Sequence, residues 1–420
     1  MILGLLTLTV QLAADTLPSV SLSEAIERAA RLDPAYVSAL GQMDNAAWTR
    51  RAARLAFILP SIELGLEATK YSSPFINPGT GLQRTSAVTT YASASYELLS
   101  VRKIADLAAT DASHEAAAAG VVAQRFQTAM ETEADYYDVL ANQELLRVAT
   151  ERLNRAREQL AVARARVLHG VAVQSDSLQV ALEETRAEID SAQQGVRLAV
   201  ARLQLGRRVG AAGPVAAQPL DTLQAPALPL SLEQSLSLAL DEGPRFRIAR
   251  ANERAASALL AGARGAYLPE LTLLGENEQF DTHLFPQARN LSSLTLRMTV
   301  PIWTGGSHEV AVSEARVSRD VARAAREDTE RAARRDVTEA YETYTTARDN
   351  YALAIKARAT AAENFRVQEQ RYRAGATTIL ELVDSQVQLT QAGSDVVQTR
   401  YAARLALAGL ESILGRRLLR

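Results

Sequence analysis

Leu59-Pro60-Ser61-Ile62-Glu63-Leu64 and Leu268-Pro269-Glu270-Leu271-Thr272-Leu273 are two copies of one phrase, and they decide how the chain is read. In each, a proline closes an Ala/Arg-rich helical stretch and opens a run that alternates apolar and polar residues. The duplication extends outward in both directions. Upstream, Ser21-Leu22-Ser23-Glu24-Ala25 returns as Ser231-Leu232-Glu233-Gln234-Ser235, each followed by a short helical stretch and a proline, Pro34 and Pro244. Downstream, Gly170 and Gly375 each stand between two long helical segments, and Leu205-Gly206-Arg207-Arg208 returns as Leu414-Gly415-Arg416-Arg417. Each half therefore reads short helix, helix, strand, loop, strand, very long helix, turn, long helix.

This order divides the chain. Residues 1–17 read as a secretory signal segment: apolar from Met1 to Ala14, without the usual basic opening. Residues 18–209 form a first repeat, with strands near 60–72 and 86–99 and a hairpin tip near 168–176. A Pro/Ala/Gly-rich stretch over 210–229 reads as a linker. Residues 230–420 form the second repeat, with strands near 267–281 and 291–302 and a tip near 373–378.

The strands alternate with period two. Ile62, Leu64, Leu66 and Ala68 oppose Ser61, Glu63, Gly65, Glu67 and Thr69; Leu294, Leu296, Met298, Val300 and Ile302 oppose Ser293, Thr295, Arg297 and Thr299. One apolar and one charged face suits an antiparallel sheet with one wet side, or a barrel with lipid outside and water inside. Four such strands cannot close a barrel alone and need partners. The helices carry heptads: Leu153, Ala156, Leu160, Ala163, Val167; Leu182, Thr185, Ile189, Ala192, Val196, Ala199, Leu203; and Leu389, Ala392, Val396, Thr399, Ala403, Ala406, Leu410, Ile413. That period specifies coiled-coil packing. The proline-free run from Ser307 to Tyr372 spans roughly 100 Å at 1.5 Å per residue, longer than one globular domain.

Composition narrows the function. Lys+Arg (46) and Asp+Glu (48) nearly cancel, which argues against a nucleic-acid binder. With Cys 0, disulfides, thiol catalysis and Cys-based zinc sites are excluded. Apolar residues make up 47% but aromatics only 5%, so the buried surface is built from Ala, Leu and Val, which suits close helix packing. His114, His169, His283 and His308 are scattered without metal-ligand spacing, and Gly79-Thr80-Gly81 lacks the context of a phosphate cradle. No nucleophile–base set, metal site or cofactor site is expected, and the chain does not read as an enzyme.

Two strands feeding long paired helices, written twice, resemble the TolC-like outer-membrane efflux family. The segment Tyr372-Arg373-Ala374-Gly375-Ala376-Thr377-Thr378-Ile379-Leu380-Glu381-Leu382-Val383-Asp384 resembles the family's entry to its final helix, and Val300-Pro301-Ile302-Trp303-Thr304-Gly305-Gly306 its strand-to-helix joint. The resemblance implies a mainly α fold with β: duplicated coiled-coil hairpins, plus four amphipathic strands per chain completing a trimeric outer-membrane β-barrel above a periplasmic α-barrel. It implies a passive duct of a tripartite efflux or type I secretion system, with a homotrimer, a periplasmic adaptor, an inner-membrane pump and outer-membrane lipid as partners, and no nucleic acid.

It also implies roles for residues. Gly170 and Gly375, readable as helix C-caps, become adaptor-docking tips. Glu381 and Asp384, one helical turn apart, become the pore constriction, although Thr378-x-x-Glu381 is equally a capping box. Tyr372 and Asp176 fall on a link that holds the tip closed. That link often includes an arginine where this chain has Thr377, so the closed state is held more weakly or by Arg373 instead. The rival reading is a periplasmic coiled-coil scaffold without a pore, its strands forming a small capping sheet.

Overall fold

The structure is a computed structural model that describes residues 17–76, 81–220, 226–281 and 290–418. Nearly all of the expected signal segment, Gly79-Thr80 and His283 lie outside the described residues. In chain order the elements are β1 (Ser19–Val20), α1 (Leu22–Leu32), α2 (Pro34–Leu55), β2 (Ser61–Ile76), β3 (Gln83–Leu99), α3 (Val101–Leu168), α4 (Gln174–Arg208), β4 (Ala216–Ala217), α5 (Leu232–Asp241), α6 (Pro244–Gly265), β5 (Glu270–Asp281), β6 (Asn290–Thr299), α7 (Ser307–Arg373) and α8 (Ile379–Leu414). The α-with-β, twice-written arrangement is thus the fold. The chain forms two compact units: Met1–Val37 with Ala123–Leu238 and Arg335–Arg420, and Ser38–Val122 with Ala239–Arg334.

The second unit holds the main sheet, antiparallel throughout, in the order β2-β3-β5-β6. Each repeat supplies one hairpin, and β3 against β5 joins them. β5 starts immediately after Pro269, whereas β6 ends at Thr299, short of the expected 302, because Pro301 has no amide to donate. The register lines up Ile62, Ala94, Gly275 and Leu294 across all four strands, so Ile62, Leu64, Leu273, Leu296 and Met298 share one face. Glu63, Ser93, Glu276 and Ser293 line up on the other. The apolar face is bare: Ile62, Leu64 and Leu294 are 73%, 79% and 76% exposed. On the polar face the Tyr91 ring lies over Gly65, where a Cβ would come within 2.2 Å of it, and its hydroxyl donates to Glu63 at 3.3 Å. Among the described residues β2 and β6 are each paired along one edge only. At the sheet's helical end, Lys103 sits 5.1 Å from the Phe57 ring centre and 4.5 Å from that of Tyr96.

The first unit is a helical assembly. Its core gathers Val20, Tyr136, Val139, Leu140, Leu198, Leu205, Val215, Val397 and Tyr401. The segment read as a linker is only partly one. Ala216–Ala217 pairs in parallel with Ser19–Val20, and Val209, Val215 and Ala217 are core residues. An extended backbone between apolar helices must satisfy its polar groups, and β1 does this together with Tyr136, whose hydroxyl donates to Gln218 O at 2.7 Å. The repeat-equivalent glycines also part ways. Gly415 ends α8 in the left-handed region, whereas α4 runs through Gly206 and closes at Gly210.

α4 corrects a sequence expectation. Leu182, Ile189, Val196 and Leu203, read as its packing stripe, are all more than half exposed. The stripe buried within the chain is Val180, Glu183, Ala187, Gln194, Leu198, Ala201 and Leu205. Both stripes have heptad spacing, so period alone could not choose. The inner one tolerates two polar residues because Arg152 donates to Glu183 at 2.5 Å and Gln194 donates to Asn142 Oδ1 at 2.8 Å. On α3 and α8 most of the expected stripe is buried, namely Leu153, Ala156, Leu160, Ala163, Ala392, Val396, Ala403 and Leu410, while Val167, Leu389, Thr399, Ala406 and Ile413 are half-buried.

Charged groups are enclosed here in matched sets. Arg400 donates to both oxygens of Glu144 at 2.9 and 2.7 Å, and Tyr401 adds a third bond at 2.7 Å. Arg417 bridges two buried carboxylates, Glu133 at 2.6 Å and Glu411 at 2.7 Å, and the Leu418 amide donates to Glu411. Burial raises the Glu133 pKa above its ordinary 4.5; nearby Arg417 and Arg404 oppose the shift and Glu411 adds to it. The sign follows directly. The folded state holds the proton more tightly than the unfolded one, so this contribution is present at low pH and is lost as pH rises through the raised folded pKa. The stability of Glu133→Gln should therefore gain on that of the parent as pH rises from about 4.5. Thermal unfolding followed by the helical circular dichroism signal across pH measures this; a variant that falls further behind with rising pH refutes it.

Candidate functional site at the helix-hairpin turns

The two hairpin turns are built identically. At the end of α3 the Gly170 amide donates to Val167 O at 3.0 Å and the Val171 amide to Arg166 O at 2.9 Å. At the end of α7 the Gly375 amide donates to Tyr372 O at 3.0 Å and the Ala376 amide to Arg371 O at 2.8 Å. Both glycines have positive φ, 68° and 77°. This is the double hydrogen-bond closure of a helix by a left-handed residue, a conformation that costs glycine least.

Helix α8 opens on Thr378 as its N-cap, one half of the expected capping box. The Thr378 hydroxyl accepts from the Glu381 amide at 3.3 Å. The Glu381 carboxylate is exposed and accepts the Thr377 hydroxyl. Asp384 is exposed one turn on and accepts from Gln388 at 2.7 Å. The two carboxylates are thus on the surface of one chain, each with a neutral local donor.

Tyr372 is buried, packed with Leu160, Ala163, Val180, Ile379 and Leu382. Its hydroxyl has no hydrogen-bond partner among the described residues. Burial raises the phenol's pKa; the Arg166 charge opposes this and the Asp176 charge adds to it, so Asp176 is felt only as a nearby charge. Arg373, the expected substitute arginine, pairs with Glu369 at 2.7 Å.

Arg371 donates to Ala376 O at 3.3 Å within its own turn, and the arginine that reaches this turn from another helix is Arg166, which the sequence reading missed. It leaves the last turn of α3, donates to Tyr372 O, and lays its guanidinium over the Tyr372 ring at 4.5 Å. It also lies 3.7 Å from where a Cβ on Gly375 would be. One side chain therefore ties the α3–α4 turn to the α7–α8 turn through a backbone carbonyl and a ring face. The sequence held one signal: Arg166 flanks the α3 heptad beside Val167, a position that reaches across to a neighbouring helix.

Elsewhere, His114 contacts Arg50 at 3.2 Å, His308 packs edge-on against Tyr267 at 5.3 Å, and His169 is exposed. Among the described residues no group of His, Asp and Glu could hold a metal ion, and no helix is long and apolar enough to cross a membrane.

A duplicated strand pair and long helical hairpin, with a bare apolar sheet face, is the architecture of bacterial outer-membrane channels that end in helical tips. The chain belongs to the outer membrane efflux protein family, whose model matches residues 25–211 and 235–416, one block in each half. It is an efflux duct of the outer membrane, in a family of channels. Solved structures agree in fold. The outer membrane protein VceC of Vibrio cholerae is 17% identical, with a TM-score of 0.79 over 95% of this chain and 97% of that one. The CmeC outer membrane channel of Campylobacter jejuni is 16% identical, with 0.79 over 94% and 85%. The MtrE outer membrane channel of Neisseria gonorrhoeae, solved in its open state, is 21% identical, with 0.78 over 95% and 90%. No curated protein sequence matches the chain.

Replacing Arg166 with Ala removes a charge-assisted bond worth about 1.5–3 kcal/mol. Amides of the turn around Gly375 should then exchange with solvent about ten- to a hundredfold faster. Tyr372→Phe, which deletes a hydroxyl that bonds nothing, should leave them unchanged. Hydrogen exchange read by mass spectrometry tests both, and equal protection in Arg166→Ala and parent would discard the clasp.

Proposed function

We propose that three copies of the chain assemble into one continuous duct, each contributing β2, β3, β5 and β6 to a closed barrel, and that substrate passes through without chemical change. The observation that carries this is the sheet itself. It has an apolar face opposite a carboxylate-bearing one, and two edges without partners. Closure against like sheets satisfies both edges, turns the apolar face to lipid and the charged face to water. The outward stripe of Leu182, Ile189, Val196 and Leu203 on α4 suits helix packing against a neighbouring copy.

The repeat boundaries at residues 18–209 and 230–420 mark two pseudo-equivalent hairpins per copy. Their turns at Gly170 and Gly375 are the surfaces offered to a periplasmic adaptor, which couples the duct to an inner-membrane pump. Glu381 and Asp384, exposed and one turn apart, form the acidic constriction when repeated around a threefold axis. Tyr372 and Asp176 belong to the closing link, with Arg166 supplying the cation absent at Thr377. Crowded carboxylates in a narrow pore attract cations, and multivalent cations most.

Val196→Glu, on the outward stripe of α4, should leave the chain folded but shift it from trimer to monomer in mild detergent. Native mass spectrometry decides this, and a parent that is itself monomeric there removes the trimer. Glu381→Gln combined with Asp384→Asn should assemble normally, lose most of its cation preference and escape block by trivalent cations. Single-channel recordings with unchanged selectivity and unchanged block would return both residues to a capping role alone.

A further inference from the structure

Unmatched polar atoms gather around one crevice in the first unit. Arg155 Nε, both side-chain polar atoms of Gln159 and the Tyr372 hydroxyl are buried without a hydrogen-bond partner. All three residues line a crevice of about 220 Å³ bounded by α3, α7 and α8. Gln159 is 7% exposed and Tyr372 4%, so neither meets its needs by reaching into bulk water. Native interiors rarely leave such groups unmatched, and several at one cavity mark a place where something binds.

The chemistry of the lining selects the occupant. Arg155 Nε, the Gln159 amide nitrogen and the Tyr372 hydroxyl are three donors without acceptors. At the rim, Glu369 is already taken by Arg373 at 2.7 Å, and Glu151 stands off from Arg155 at 3.9 Å. Burial lowers the Arg155 pKa, the mark of a cation whose surroundings do not fully repay its lost hydration. Glu158 also lines the crevice and, with Glu151, favours the charged form of Arg155, while Val162, Phe365 and Leu382 supply the apolar part of the wall. A group with two acceptor oxygens and a negative charge answers the donors, and a flat apolar body answers the wall.

We propose that this crevice is a binding site for a small organic carboxylate with an apolar, ring-sized body, its oxygens held by Arg155, Gln159 and Tyr372 and its body lying against Phe365 and Leu382. The occupant joins α3 to α7 and α8 beside the turn that Arg166 clasps, so its binding stabilises this arrangement of the helices over any other. The site stands on the packing within one chain and does not depend on the duct reading.

Benzoate is the probe, with uncharged benzamide as its isostere, titrated into the purified full chain in mild detergent and followed by calorimetry and thermal unfolding. Saturable binding of benzoate is expected, with benzamide weaker by about tenfold or more, the factor for one hydrogen bond to a charged group. Gln159→Leu keeps the volume and removes two unmatched atoms, so it should fold and lose benzoate affinity by about tenfold or more. Arg155→Lys keeps the positive charge but lacks the guanidinium Nε; a loss of similar size is expected. If the crevice holds only water, the parent shows no saturable response and Gln159→Leu is simply more stable. That result overturns the proposal, as does equal benzoate affinity in parent and Gln159→Leu.

Discussion

An unpaired edge strand is the constraint on which the architecture turns. β2 and β6 each present a row of backbone donors and acceptors on one side, and next to a bilayer those groups have no water to turn to. No local rearrangement of four antiparallel strands removes both edges. The bare Ile62, Leu64 and Leu294 on one face add the same demand in apolar form. Both demands are met when further strands cover the edges and an apolar medium covers the face. The outward stripe on α4 shows the same incompleteness in the helical unit.

The helical unit solves a different problem. Ala156, Ala163, Ala187, Ala201 and Ala403 let helices approach closely, but small side chains alone leave register weakly determined. Matched polar pairs supply it. Arg152 with Glu183, Gln194 with Asn142 and Arg400 with Glu144 each have one satisfactory geometry, and a slip of one turn would leave charge buried without a partner. The pairs specify the packing more than they add to its stability.

The architecture was legible because it is written twice. Two Leu-Pro entries, two glycine turns and strand alternation are local signals, and duplication turned weak signals into a pattern. What stayed hidden is long-range. Two heptad stripes on α4 have the same period, and only the partners of Glu183 and Gln194 decide which turns inward. The stretch after Val209 has the composition of a linker, yet Ala216 and Ala217 find a strand partner at Ser19 and Val20, far away in sequence. At the turns, the glycines were readable from conformational preference, whereas Arg166 carried only its heptad-flanking position, because its target is a carbonyl on another helix. Tyr372 stands beside the α7–α8 turn, buried, and its hydroxyl has no partner among the described residues.

The bridge made by Arg417 has a consequence for how the helical core comes together. Glu133 lies on α3 and Glu411 on α8, far apart in sequence, yet one guanidinium serves both. The cluster can close only when these two helices have met in a single register, because any other leaves enclosed carboxylates without their shared guanidinium. Closure of this cluster is thus a local record that a contact between distant parts of the chain has been made correctly.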